Sequence, residues 1–360
     1  MLASREKVGI RRGAGRWLFG GAALLAAVSA AGAVYQSFAV ARDRGRHPSP
    51  GRLADAGGHR LHLNVAGEGQ GGPTVVLEAG GTGFSPQWAR VRPGIAEFAR
   101  VVSYDRAGLG WSEPGPNPRD ARPIAEELRA ALRSAGIEGP YVPVGSSLGG
   151  LYALAFADAY PEETAGVVLV DSMHPDQWER LPDRLVHLVR SFDRIIKVLP
   201  PLARLGALRA LDLTRPMQGE FRAGLPPEER AQMEAVAATP EHWEAVYEEV
   251  SGSWEETRGQ VRTIVSRGLG EKPLLVLTAP DNPGFGEMKG PWLEMQVELA
   301  ALSSRGEHRV LEGASHIGTM TDPATVREVV EAVRRVVEVA RQGALRPSRP
   351  AEPEEDKRCP

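Results

Sequence analysis

Short apolar runs alternate with amphipathic stretches through most of this chain. Thr74-Val75-Val76-Leu77-Glu78, Ala99 to Tyr104, Tyr141-Val142-Pro143-Val144, Val167-Val168-Leu169-Val170, Pro273 to Leu277 and His308 to Leu311 have strand length. Runs that are apolar at successive positions predict strands buried on both faces, as in a parallel sheet. Arg60 to Val65 alternates instead and ends in Gly67-Glu68-Gly69, which predicts an exposed antiparallel strand. Between the strands lie helical patterns. Ile124, Leu128, Ala131 and Leu132 share one face behind Pro123, and residues 148–160 form a second helix that ends before Pro161. After Asp322-Pro323, Val326, Val329, Val330, Val333 and Val337 line a third. Strand and helix in alternation define an α/β layered fold.

One stretch breaks the alternation. Residues 174 to about 267 hold amphipathic helical windows and no convincing strand. That is too long for a plain loop between two sheet strands, so it is expected to form a helical cap. Within it, residues 188–211 combine Ile195, Ile196, Leu199, Leu202 and Leu205 with Arg190, Arg194, Lys197, Arg204 and Arg209. A cap helix pair packed on the core explains that pattern. A basic amphipathic surface lying on a bilayer explains it as well.

The two ends stand apart from the domain, expected over residues 53–342. Residues 17–41 carry no charged side chain, and 25 helical residues reach roughly 37 Å against about 30 Å of bilayer hydrocarbon. Residues 1–16 hold Arg5, Lys7, Arg11, Arg12 and Arg16 against Glu6, which favours a cytoplasmic N-terminus and an extracytoplasmic domain. A single-pass anchor is the favoured reading. A cleaved signal peptide, with Ala39-Val40-Ala41 as the cleavage site and a secreted product, is the alternative, and a buried core helix is the third. Residues 42–52 read as a polar linker. Residues 343–360, rich in Pro and charge, read as a disordered tail.

Composition narrows the function classes. The formal net charge of −3 supplies no basic field for nucleic acid. The single cysteine, Cys359, allows no intrachain disulfide and no cysteine nucleophile or cysteine-based metal site. No metal or organic cofactor is implied.

The chemistry concentrates in Gly145-Ser146-Ser147-Leu148-Gly149, a G-x-S-x-G pentapeptide between an apolar strand and a helix. A tight turn there lifts the Ser147 hydroxyl clear of the sheet, with a helix N-terminus favouring negative charge beneath it. His316, in Glu312-Gly313-Ala314-Ser315-His316 after the last strand, suits the general base, because imidazole titrates near neutrality. The Leu148 N–H is one expected oxyanion donor, and Gly81 in Ala79-Gly80-Gly81-Thr82-Gly83 the second. The carboxylate that orients His316 has two candidates. Asp171 ends the strand after the nucleophile helix, and Asp281 lies in Thr278-Ala279-Pro280-Asp281-Asn282 after the next. Asp171 is the first choice and Asp281 the alternative.

From about residue 53 to 341 the chain resembles the α/β-hydrolase superfamily. The stretches that carry the resemblance are VVLEAGGTG at 75–83, YDRAGLGWSEPG at 104–115, VGSSLGGLYALAFADAYPE at 144–162, VVLVDSMHP at 167–175 and EGASHI at 312–317. Asp105 to Ser112 is similar to the superfamily's D-R-x-G-x-G-x-S loop, which is structural and lines the site. The order Ser, acid, His is the superfamily's order. Many relatives have His-Gly where this chain has Ala79-Gly80, which alters the support of the oxyanion loop. Serine at the elbow argues against the dehalogenase and epoxide-hydrolase branches, which use Asp there.

The expected fold is a mainly parallel eight-stranded sheet with helices on both faces and a helical cap. The expected reaction is hydrolysis of an ester or related acyl bond of a small molecule through an acyl-serine. Two rivals remain: an aminopeptidase-type amide hydrolase on the same triad, for which Glu241, Glu244, Glu248 or Glu249 would bind a substrate amine, and a non-catalytic ligand-binding protein on this fold.

Overall fold

The computed structural model describes residues 3–281 and 286–344. Asn282 and most of the expected tail lie outside the described residues. The strands are β1 (Arg52–Asp55), β2 (Arg60–Ala66), β3 (Thr74–Glu78), β4 (Val101–Tyr104), β5 (Tyr141–Ser146), β6 (Val167–Val170), β7 (Leu274–Thr278) and β8 (Gly306–Val310). The longer helices are α1 (Ala3–Arg46), α2 (Ala121–Ser134), α3 (Leu148–Ala159), α4 (Asp183–Arg204), α5 (Arg215–Gly224), α6 (Pro227–Val236), α7 (Pro240–Tyr247), α8 (Trp254–Arg267), α9 (Lys289–Ala300) and α10 (Pro323–Ala344).

The strands form one eight-stranded sheet in the order β1-β2-β4-β3-β5-β6-β7-β8. The pairs β1/β2 and β2/β4 are antiparallel, and every pairing from β4 to β8 is parallel. The apolar runs explain why the middle strands are covered twice. Val168, Val170, Leu275 and Leu277 face Val329, Val333 and Val337 of α10. Their neighbours Val167, Leu169, Leu274 and Val276 face Leu151 and Leu154 of α3 and Val261 and Ile264 of α8. Each such side chain, fully withdrawn from water, contributes about 1.5–3 kcal/mol.

Two details at the antiparallel edge differ from the sequence reading. Leu61, His62 and Leu63 of β2 are buried, so that strand is not exposed. It lies inside the sheet because β1 covers its outer edge. β1 escapes the apolar pattern since only Ala54 of its four residues is buried. At the N-terminal side α1 is helical through Arg46, so the first five linker positions are helix. Asp43 holds that last turn, being buried against Arg209. At the other end α10 runs to Ala344, two residues into the expected tail.

Between β6 and β7 every described element is a helix. α4, α6 and α7 pack on one another through Ile196, Leu199, Ala203, Met233, Val236, Trp243 and Val246. Phe84 and Leu109, from loops at the carboxyl ends of β3 and β4, join the same cluster. The cap is thus seated over the carboxyl edge of the sheet, where ligands bind in open α/β folds.

Candidate active site

The turn from β5 into α3 is tight enough to require glycine. A Cβ on Gly145 would stand 2.3 Å from the Gly149 carbonyl oxygen, and one on Gly149 would stand 2.4 Å from the carbonyl oxygens of Ala79 and Glu78. Ser147 itself adopts φ 55° and ψ −125°. A non-glycine residue held in such a conformation stores strain of about 1–3 kcal/mol, and strain of this kind gathers at functional sites. Leu148 is the first residue of α3, so its N–H has no acceptor within the helix.

His316 and Asp171 meet. The Asp171 Oδ2 lies 2.6 Å from His316 Nδ1. The other oxygen, Oδ1, accepts the Ala279 N–H at 3.0 Å and the Trp292 indole N–H at 2.9 Å. Asp171 is wholly buried, at φ 44°. A carboxylate so held has one geometry to offer the imidazole. Burial alone would lower the His316 imidazole, but the hydrogen bond and negative charge of Asp171 outweigh it and raise the pKa above the ordinary value of 6.5.

Asp281 goes elsewhere. Its Oδ1 lies 3.1 Å from Lys289 Nζ, and its Oδ2 accepts the Gly313 N–H at 2.9 Å. It is exposed, and these two bonds hold its carboxyl below the ordinary range. It ties the loop after β7 to the loop that carries His316.

The loop after β3 has an unexpected support. Gln87 Oε1 accepts the Gly80 N–H at 3.0 Å, and Gln87 Nε2 reaches Ser146 Oγ at 3.4 Å. That bond engages the Gly80 amide, while Gly81 faces the side chain of Leu148. Arg106 braces the same loop from below, donating to the Ala79 carbonyl at 2.8 Å and the Gly80 carbonyl at 2.9 Å. The guanidinium is buried between Glu78, at 3.2 Å, and Glu249 of the cap, at 2.9 Å. Burial raises the Glu78 carboxyl to about 7, against the pull of Arg106 and the Tyr104 hydroxyl. The neighbouring Asp105 is structural: it accepts the N–H groups of Ser85 and Trp111 and pairs with His62.

Ser147 and His316 open into one cavity of about 400 Å³, with Gly81 in its wall. Its other walls include Phe84, Phe192, Phe221, Met233, Trp243 and Met320, with Glu220 among the polar groups. This is the size and character of a small-molecule pocket. His242 also lines it, and burial holds that imidazole down at about 4, so it is neutral at physiological pH. None of Glu241, Glu244, Glu248 and Glu249 lines the cavity. Glu249 is bound to Arg106 and Arg119, and Glu244 to Arg204.

Gln87, Trp292 and His242 were not legible as site residues. Gln87 sits in a short turn with no motif, and Trp292 is 121 positions from Asp171. The D-R pair at 105–106 was the one signal for the brace.

A sheet of this order with an elbow serine, a cap and a buried Asp–His pair defines an α/β hydrolase. The family model described as Alpha/beta hydrolase family matches residues 71–329, and the chain belongs to that family. YbdG of Bacillus subtilis (strain 168), an uncharacterized protein, is 29% identical over 188 residues, 49% of this chain and 57% of YbdG. The "Putative carbamate hydrolase RutD" of Klebsiella pneumoniae (strain 342) is 36% identical over 135 residues, 35% of this chain and 50% of RutD. The chain thus spans little more than half the length of these curated relatives. Among solved structures, a thermophilic esterase from Thermogutta terrifontis matches with a TM-score of 0.56 at 22% identity, covering 79% of this chain and 98% of the esterase. That likeness bears on the fold.

Proposed function

We propose that this protein is a serine hydrolase that cleaves an ester or related acyl bond of an apolar small molecule. Ser147 is the nucleophile, His316 the general base and Asp171 the orienting acid, with the Leu148 and Gly81 amides as the oxyanion hole. The observation that carries the reading is the 2.6 Å contact of a wholly buried Asp171 with His316 Nδ1. It fixes the tautomer that leaves Nε2 as the acceptor for the serine proton.

The Ser147 oxygen attacks the acyl carbonyl as its proton passes to His316 Nε2. The tetrahedral oxyanion is held by the two amides. Collapse breaks the bond to the leaving group, which departs with the proton from His316. Water then attacks the acyl-serine by the same relay and releases the acid. The apolar walls receive the acyl portion, and neutral His242 offers a polar partner within the cavity. Glu241, Glu244, Glu248 and Glu249 stand outside the cavity wall, but Glu220 lines it, so an aminoacyl amide held through Glu220 is the second reading.

The chain is anchored in a membrane by α1, with the catalytic domain on the extracytoplasmic side. Within Gly20–Arg46 an 18-residue window reaches a mean hydropathy of 1.6, which supports a span by length and composition. Gln36 and Asp43 both bond to the cap, and a signal-peptide cut after Ala41 would sever Gln36 from it.

A fluorophosphonate probe tests the enzyme reading. It is expected to label the full-length protein, with loss of labelling in Ser147→Ala. A folded wild type that stays unlabelled overturns the triad and favours the ligand-binding rival. A panel of acyl esters, lactones and aminoacyl amides then ranks the substrates.

A further inference from the structure

The membrane helix does not leave the domain behind. From Gly32 onward one face of α1 is fastened to the cap, at the four- and three-residue spacing of a packing seam: Gly32, Gln36, Ala39, Asp43. A Cβ on Gly32 would stand 2.3 Å from the Leu205 carbonyl oxygen. Gln36 donates to the Ala238 carbonyl at 2.6 Å, Ala39 is buried, and Asp43 pairs with Arg209.

The length of the helix then sets a depth. The uncharged stretch begins at Trp17, so only 15 of its residues precede Gly32. They rise about 22 Å, whereas the hydrocarbon core is about 30 Å thick and takes about 20 residues. The remaining distance is crossed by residues that are already packed against the cap.

The cap's outer surface matches that depth. Ile195 and Val198 on α4, Leu205 just after it, and Leu211 and Leu213 beyond are exposed apolar side chains, with Leu211 at 67% exposure. Leu205 adjoins the exposed surface of α1: Tyr35, itself 45% exposed, is the neighbour a Cβ on the adjacent Gly206 would meet. Of the basic residues in this stretch, Arg204 is paired with Glu244 and Arg209 with Asp43, while the exposed Arg194 and Lys197 flank Ile195 and Val198. Apolar insertion and headgroup contact by Arg194 and Lys197 therefore act together on this surface. The cap side of the catalytic cavity comes from the same segments, through Phe192, Thr214, Glu220 and Phe221.

We infer that the cap rests inside the adjacent leaflet of the bilayer, and that the catalytic cavity takes its acyl substrate sideways from that leaflet. The occupant of the exposed cap surface is phospholipid acyl chain, and the substrate class is an ester-bearing amphiphile. The substrate part of this inference rests on the proposed hydrolase activity; the depth of the cap does not.

The two parts separate in one experiment on the full chain in phosphatidylcholine vesicles. In a Cys359→Ser background, bimane is attached to Val198→Cys, Leu211→Cys or the exposed helix position Glu126→Cys. Lipid-borne nitroxide is expected to quench the first two at least about threefold more than the third, as for side chains buried in the acyl boundary. Equal quenching at all three overturns the immersion. Activity is then read in Val198→Asp/Leu211→Asp, neither residue lining the cavity. Turnover of a long-chain ester carried in the vesicles is expected to fall at least about tenfold, with p-nitrophenyl acetate hydrolysis within about twofold of wild type. Unchanged turnover of the vesicle ester overturns lateral access. Differential quenching without any ester hydrolysis by the wild type keeps the immersion and overturns the activity and the lateral access.

Discussion

The floor of the site and its cap are built on opposite principles. On the floor, the candidate catalytic groups are held in place by strained backbone and buried hydrogen bonds. Ser147 sits at a strained φ, and Asp171 is locked by an amide, an indole and the imidazole it serves. The cap has two faces. Its inner side chains are apolar and form a small core of their own, and its outer face exposes Ile195, Val198, Leu205, Leu211 and Leu213 among charged side chains such as Arg194 and Lys197. The floor therefore admits little variation in position, whereas the cap sets what arrives there. Arg106 is a polar joint between them: it holds two carbonyls of the loop after β3 and a buried glutamate of the cap at once.

The largest effect should come from the nucleophile. Ser147→Ala is expected to lower kcat by about 10⁶-fold in a protein that stays folded, as for other members of a triad. Ser146→Ala, one position out of register, should cost at most about tenfold, the scale of one neutral hydrogen bond. Steady-state kinetics on both variants checks the register, and a lethal Ser146→Ala beside an active Ser147→Ala would reverse it.

Next comes the acid. Asp171→Asn is expected to lower kcat by about 10⁴-fold, because an amide favours the wrong imidazole tautomer. Asp281→Asn, which breaks an exposed pair with Lys289, should cost less than about tenfold. A pH profile gives a second reading of the same residue. Activity needs neutral His316, whose pKa lies above 6.5, so in the wild type kcat should fall as pH drops through that raised value. In Asp171→Asn the partner that raises it is gone and burial remains, so the residual limb should move to lower pH. A limb that stays in place would remove Asp171 from the relay.

The joint between the two regions ranks third and reads as stability. Arg106→Ala leaves Glu78 without its cation and Glu249 with Arg119 alone in a buried setting, which should cost about 3–5 kcal/mol in denaturant unfolding. The exposed cap pair of Arg204 and Glu244 gives the smallest effect, with Arg204→Ala expected within about 1 kcal/mol. Equal losses would mean that the cap is not braced through Arg106.

Much of the floor was legible because it is local. The glycines of G-x-S-x-G answer steric demands within five residues, and the apolar runs report burial on both faces of a parallel sheet. Charge-free length made α1 visible in the same way. β1 stayed hidden because an edge strand with one buried residue leaves no period to read.

What the sequence by itself determined was the set of chemical groups and the layered fold that gathers them: a serine on a turn, a histidine after the last strand, two carboxylates within reach and an apolar N-terminal helix. Which carboxylate meets His316 was decided only in three dimensions. Asp171, Ala279, Trp292 and His316 come from four distant stretches, and only the closing of the sheet brings them within hydrogen-bond distance. The same holds for Gln87 beneath the oxyanion loop and for the seam between α1 and the cap. Periodicity records which face of an element is buried, but the partner that buries it is a property of the whole chain.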